Sequence, residues 1–382
     1  MPDKRATNQS IPIFTGSSLI VTSLDNYIIA LDPEKGNEKW RTKLPAVAGK
    51  RGITFKKFNN ERLIFVPTSK GIKIINEKNG KIFSRIGNKG TFGDTLTLVP
   101  PITDNKNIFV AFRTKIESFA LNGNGKPLWS VGLNGARIWS GFSFDKKTNS
   151  LIAVTSNLVN VVGNTDIEPD YANSLLILDS ISGKIKCKFQ SVKHDHWDLD
   201  MVGNPIVYNS NEGKNIVFGF QKTGNIFVIN TETCDHEFKN SFVNIKTKTS
   251  NKLNQTYSDS QIKSLKPKQL IELKYDLDEY LSYLENEEEK DYIKHKSRNA
   301  LYNEDYIPIS NDYDVLMYGV HGGPEWHGGA LDKVNNQIIV PVNNYPWIFR
   351  SYYHDNINEN INRIKKNVRN KFLILKNKFF FK

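Results

Sequence analysis

The chain has 382 residues, 38% of them hydrophobic, with 22 Phe and 15 Tyr, so it can bury a sizeable core and is not globally disordered. Its net charge is +12, but eight Lys/Arg against one acid fall between residues 356 and 382, leaving the remainder only mildly basic. No basic face interleaved with stacking residues precedes that tail, so nucleic acid is not an expected partner.

No apolar run approaches the ~18 residues of a membrane span. The first residues, Met1-Pro2-Asp3-Lys4-Arg5, lack the apolar core of a secretory signal. They point either to a cytoplasmic protein or to a chain whose true start is missing. Cys187 and Cys234 are the only cysteines, enough for one disulfide and too few to indicate a redox compartment. Without Cys-x-x-Cys-His, no covalent haem site is encoded.

In chain order, one pattern recurs: an alternating apolar strand, Asp or Asn, a polar turn, Gly, and another strand. It reads Ala30-Leu31-Asp32-Pro33-Glu34-Lys35-Gly36, preceded by Tyr27-Ile28-Ile29 and closed by Trp40. It returns as Ile75-Asn76-Glu77-Lys78-Asn79-Gly80 and as Ala120-Leu121-Asn122-Gly123-Asn124-Gly125 with Trp129. A fourth copy is Leu178-Asp179-Ser180-Ile181-Ser182-Gly183, and a degraded fifth is Ile229-Asn230-Thr231-Glu232-Thr233-Cys234. The repeat glycines are spaced by 44, 45 and 58 residues. Gly supplies the positive φ of a tight turn, and Asp or Asn braces it through its side chain. A period of roughly 40–50 residues with several strands in each unit predicts propeller blades. An all-β sandwich with ordinary turns is the plainer alternative.

Three stretches hold candidate chemistry. The first is Ile138-Trp139-Ser140-Gly141, followed by a strand ending in Thr155-Ser156-Asn157; a strand-end Asn can brace a turn or offer an amide oxygen to a hard cation. The second is His194-Asp195-His196-Trp197-Asp198-Leu199-Asp200, with Lys222 downstream. On a strand, His194, His196 and Asp198 would share one face. His-x-His alone suggests a transition metal, whereas a solvated strand end is the simpler reading. The third is Gly322-Gly323-Pro324-Glu325-Trp326-His327-Gly328-Gly329, where glycines let the backbone approach something flat, or merely turn around a core indole. Between them the pattern breaks near Asn240, and the stretch of about 240–312 reads as an insertion. Within it, residues 269–273 and 280–284 suggest short amphipathic helices. Strands resume at residues 337–342, and residues 351–382 form a basic low-complexity tail.

Taken together, these pieces resemble the pyrroloquinoline-quinone (PQQ)-dependent alcohol and sugar dehydrogenases, closest to the membrane glucose-dehydrogenase branch. The resemblance covers most of residues 15–350. Its specific part runs from Tyr171 through Phe189 into residues 194–200, Pro205 and Lys222-Thr223-Gly224. It implies an eight-bladed β-propeller, incomplete here, because five or six blades do not close that ring. It implies Asp198 as the base that takes the substrate hydroxyl proton and Lys222 as a contact to the quinone carbonyls. Trp139 would stack beneath the cofactor, Glu325 and Trp326 would line it, and Asn157 with Asp198 would hold Ca2+. The activity implied is hydride transfer from a small alcohol or sugar to PQQ. Electrons would pass on to a membrane quinone or a cytochrome, and the location would be periplasmic. Two departures stand out: Ala111 occupies the place of a glutamate calcium ligand, and the adjacent cysteines of the alcohol branch are missing. The alternative function is a non-catalytic propeller scaffold for protein partners, or an inactive quinoprotein fragment. A scaffold would leave Asp198 and Lys222 more than ~8 Å apart, too far to share a ligand.

Overall fold

Each repeat turn closes the outer hairpin of an antiparallel sheet. Asp32 shows how: its Oδ1 accepts the backbone N–H groups of Glu34 and Lys35, and Gly36, at φ +72°, donates back to the Asp32 carbonyl at 2.9 Å. Asn76 with Gly80 and Asp179 with Gly183 close in the same way. In the fifth copy Cys234 takes the glycine's place, at φ 66°, and donates to the Asn230 carbonyl at 3.0 Å.

The structure, a computed structural model, describes residues 10–349 apart from 59, 87–98, 113, 122, 124, 158–169, 248–257, 310–311, 319–320, 322 and 344. The tail at 351–382, the first five residues, Asn122, Asn124 and Gly322 lie outside the described residues, as does part of the insertion.

Four consecutive four-stranded sheets form the first blades: residues 13–43, 54–86, 102–132 and 142–190. A fifth sheet joins Met201–Asn209, Asn215–Gln221 and Ile226–Asn230. Their inner strands are nearly continuous apolar runs, such as Ser150–Val154 and Ser174–Asp179, because both faces of a blade are covered by neighbours. The core therefore lies between blades rather than within one. Ile64, Val66 and Ile75 of the second blade pack on Ile20, Ile28 and Ala30 of the first. Leu151, Ala153 and Leu176 of the fourth pack on Phe109 and Ile116 of the third. Met201, Val217 and Phe227 of the fifth pack on Ile152, Leu175 and Ile177 of the fourth. This is a β-propeller, as the repeats predict.

The matched tryptophans couple neighbouring blades. Trp40 donates its indole N–H to the Glu77 carbonyl at 2.8 Å, and its ring lies against Gly80, where a Cβ would come within 2.6 Å. Trp129 does the same to Ser180, at 3.0 Å, and to Gly183, at 2.7 Å. Both are the third residue of their blade's last strand. Cys187 is the third residue of Ile185–Gln190 and holds the same register, pairing with Ile177 as Trp40 pairs with Ala30. It is disulfide-bonded to Cys234, the residue that replaces the next blade's turn glycine. A covalent bond thus stands between blades four and five where an indole-on-glycine contact stands elsewhere.

The segment after the fifth blade departs from expectation in detail. Residues 269–273 are not helical. Instead Leu270 donates its N–H to the Gly224 carbonyl, and Gln269 donates from its amide to Thr223 O and Asn225 Oδ1. Tertiary partners here outcompete the local i→i−4 bonds. The helices observed are Leu277–Ser282 and Glu287–Ser297. The first overlaps the expected 280–284 helix. The second has no apolar face, yet its signals are local: Asn286 caps it, with Glu287, Glu288 and Glu289 in the first turn and Lys294, His295 and Lys296 in the last. The strand expected over 337–342 is split into Gln337–Ile339 and Val342–Asn343 on either side of Val340-Pro341.

Candidate active site

Residues 194–200 are not a strand, so the alternation that would place His194, His196 and Asp198 on one face does not hold. His194 and Asp198 adopt left-handed backbone, at φ 44° and 64°. The cause is Asp195, whose carboxylate turns inward and accepts the backbone N–H groups of Trp197 at 2.9 Å and Leu199 at 2.7 Å. Trp197 is fully buried; it donates its indole N–H to the Ile307 carbonyl at 2.7 Å and packs on Leu273, Tyr306 and Val315. His196 is buried beside it, with its ring edge-on to the indole. Asp198 keeps 39% of its side chain exposed.

Lys222 follows Asn215–Gln221, and its backbone N–H is held by the Asp200 carbonyl. Its ammonium lies 3.2 Å from Asp198 Oδ2, 3.0 Å from Asp200 Oδ2 and 2.9 Å from the Asp198 carbonyl. The separation is far inside the ~8 Å at which the two groups could no longer share a ligand. Asn157 completes the group. Its Nδ2 donates to Asp198 Oδ1 at 3.1 Å, its backbone N–H to Asp200 Oδ1 at 2.8 Å, and its Oδ1 accepts from Asn173 at 2.6 Å.

Three carboxylates thus crowd one ammonium, and the charges shift accordingly. Burial and the neighbouring Asp200 push Asp195 up to about 6. Burial pushes the Asp198 carboxyl up; Lys222 opposes this, while Asp200 and Asp195 reinforce it. Burial works against the Lys222 ammonium, but Asp200 and Asp198 outweigh it and hold its pKa above the ordinary lysine value.

Trp139 lies alongside, its ring centroid 5.4 Å from the Lys222 Nζ. The Arg51 guanidinium sits 5.1 Å from the Trp139 centroid and 4.3 Å from that of Trp326, between the two indoles. Trp139 Nε1 and Arg51 Nη1 are buried without a hydrogen-bond partner. Glu325 faces the same cations; burial pushes its carboxyl up, against the pull of Lys222. Several glycines nearby serve backbone contacts instead of a flat ligand. A Cβ on Gly323 would come within 2.2 Å of the Lys222 carbonyl, and one on Gly203 within 2.5 Å of Gly328. Asp198, Lys222, Trp139, Asn157, Glu325 and Trp326 are all gathered at this one site. Sequence reasoning missed Arg51, Asn173 and the separate tasks of Asp195 and Asp200. Arg51 had only a basic pair before Gly52 as its signal, and Asn173 had none.

The residues fit a flat, tricarboxylated quinone in chemistry: two indoles, two cations and orphaned N–H donors lie together. They fit a hard cation in donor chemistry, through the oxygens of Asp198 and Asn157 and an excess of carboxylates. Turning over the Asn157 amide is then required, because its nitrogen faces Asp198. Among the described residues, no group of three or more His, Cys, Asp or Glu is arranged to hold a metal ion.

The blades agree with comparison to known proteins. The profile of a PQQ family, the glucose/ethanol/alcohol dehydrogenase β-propeller domain, matches residues 2–103 and 112–376, and the chain belongs to that family. It is 26% identical over 286 residues to the quinoprotein glucose dehydrogenase of Escherichia coli (strain K12), a match covering 58% of this chain and 36% of that protein. It is also 26% identical over 216 residues to the quinoprotein alcohol dehydrogenase PedH of Pseudomonas putida, covering 54% of this chain and 34% of that one. The chain therefore spans about a third of the length of these curated relatives. A europium-containing methanol dehydrogenase structure superposes with a TM-score of 0.61 at 14% identity, over 90% of this chain and 63% of that one, a likeness of fold.

Proposed function

We propose that this chain carries the reaction centre of a PQQ-dependent dehydrogenase that oxidises an alcohol or a sugar, with Asp198 as general base. The observation that carries this reading is the Lys222 ammonium held between Asp198 and Asp200, 5.4 Å from the Trp139 ring. Bound PQQ supplies the hydride acceptor. Trp139 and Trp326 give the aromatic surfaces against which a planar ring packs, and Arg51 and Lys222 the positive charge that its carboxylates and carbonyls need. Asn157 and Asp198 are the oxygen donors we assign to Ca2+. Glu325, whose carboxyl burial pushes up, lines the site.

Asp198 suits proton abstraction for three reasons. It is the exposed carboxylate of the cluster, its basicity is raised by burial and by Asp195 and Asp200, and Lys222 tethers it in one orientation. A carboxylate so held can accept a hydroxyl proton from a substrate beside it. We assign the periplasm as the location and a membrane quinone or cytochrome as electron acceptor on the family relationship.

The test is reconstitution with PQQ and Ca2+ and dye-coupled turnover on alcohols and aldoses, with Asp198→Asn as control. Turnover in the parent that falls about 1000-fold in the variant supports the reading. A protein that binds no PQQ, or an Asp198→Asn variant as active as the parent, overturns it. The scaffold reading is disfavoured by the 3.2 Å contact between Asp198 and Lys222, a costly buried arrangement that a partner-binding surface does not require.

A further inference from the structure

We infer that Asp195, acting with Asn173, is the positioning residue for Asp198; this rests on the reading of Asp198 as base and extends it. Asp198 sits in left-handed backbone at φ 64°, a conformation that is costly for L-residues and that surrounding contacts must hold. The two peptide N–H groups flanking Asp198 are those of Trp197 and Leu199. Both are captured by one carboxylate: Trp197 N–H by Asp195 Oδ1 at 2.9 Å, Leu199 N–H by Asp195 Oδ2 at 2.7 Å. Asp195 thereby clamps the chain on both sides of the base.

The clamp extends to the second oxygen donor of the site. Asn173, itself buried and at φ 45°, donates from one amide nitrogen to Asp195 Oδ2 at 3.0 Å and to Asn157 Oδ1 at 2.6 Å. Asn157 in turn donates to Asp198 at 3.1 Å. The four side chains close a ring of contacts from Asp195 through Asn173 and Asn157 to Asp198 and back along the peptide. Blade four supplies Asn157 and Asn173, and the turn before blade five supplies the two aspartates. Until the Asn157 amide turns over to a cation, the relative placement of base and amide is set by this interblade polar network; the two bonds from Asp195 to the Trp197 and Leu199 N–H groups hold in either amide orientation. Among the described residues no ion pair holds Asp195: Lys222 Nζ contacts Asp198 and Asp200, and hydrogen bonds from neutral donors hold the Asp195 carboxylate. The place of this acid is explained by the two N–H groups that it orients.

The experiment is a double-mutant cycle on the full chain, Asp195→Asn and Asp198→Asn singly and together, with amide hydrogen exchange of the peptide covering residues 195–200. Asparagine at 195 keeps one acceptor oxygen and loses the other. The expected single-variant result is turnover down about 100-fold with KM within about twofold, the signature of a misplaced catalytic group. In the Asp198→Asn background the second substitution is expected to cost nothing further, since Asp195 acts through Asp198. Exchange of the Trp197 and Leu199 amides is expected to rise roughly tenfold, the loss of one buried hydrogen bond. Additive losses, or a shift in KM alone, would overturn the positioning role, as would unchanged exchange. If the PQQ-loaded parent turns nothing over, the dehydrogenase reading is what fails, and the exchange measurement alone decides whether Asp195 clamps the turn.

Discussion

Replacing both members of the Cys187–Cys234 disulfide by serine tests whether this bond does the work of the missing tryptophan dock. The bond joins residues 47 apart in sequence, with Cα atoms 5.7 Å from one another. Closing a loop of that length removes unfolded-state entropy worth about 4 kcal/mol at 25 °C. Against this stands the left-handed backbone of Cys234, at φ 66°, which costs ~1 kcal/mol and which glycine would relieve. A second variant, Cys187→Trp with Cys234→Gly, rebuilds the contact of Trp40 on Gly80 and offers the indole N–H the Thr231 carbonyl, the counterpart of Glu77 and Ser180. Partial burial of an indole stabilises by ~2 kcal/mol. Urea unfolding followed by circular dichroism, with and without reductant, then has a defined order. The oxidised parent is most stable, the Trp/Gly variant intermediate, and the Ser/Ser variant least. Reductant brings the parent down to the Ser/Ser level and leaves the Trp/Gly variant unmoved. A Ser/Ser variant as stable as the oxidised parent, or a Trp/Gly variant below Ser/Ser, would refute the equivalence of disulfide and dock.

Substituting Lys222 by Met strands Asp198 and Asp200 as buried like charges. Breaking such a pair costs about 3–5 kcal/mol, so a large drop in thermal midpoint and loss of PQQ-induced tryptophan quenching are expected; a folded, PQQ-binding Lys222→Met protein would contradict the assignment. Glu77 accepts from Thr15, Ser17 and Arg62, and although burial opposes this, those partners hold its carboxyl down to about 2. A depressed acid adds stability that is complete above the unfolded value near 4.5 and is lost as pH falls toward 2. The acid limb of a pH–stability curve should therefore flatten in Glu77→Gln, and an identical limb would exclude the contribution. Gly80→Ala meets both an unfavourable φ of +71° and Trp40 at 2.6 Å, whereas Gly213→Ala meets an unfavourable φ of +89° in open space. The first should cost about 2 kcal/mol more than the second in chemical denaturation, and equal costs would mean that the dock yields freely.

Sequence alone determined the blade architecture, because its signals are local. A turn needing positive φ calls for Gly after an Asp or Asn brace, whatever surrounds it, and inner strands buried on both faces read as apolar runs. The gathering of Asp198, Lys222, Trp139 and Asn157 was legible only through likeness to a family, since nothing in their spacing states that four separate segments converge. Tertiary structure decided the rest. The stretch at residues 194–200 alternates as a strand would, yet Asp195 captures the N–H groups of Trp197 and Leu199 and Asp198 between them takes left-handed backbone. The stretch at 269–273 has helical spacing, yet it spends its hydrogen bonds on the turn at 223–225. Two cysteines 47 residues apart carry no hint of the indole-on-glycine position that they fill. In each case a side chain or peptide group found a partner distant in sequence whose bond outweighed the local preference, and such a partner exists only once the blades have packed.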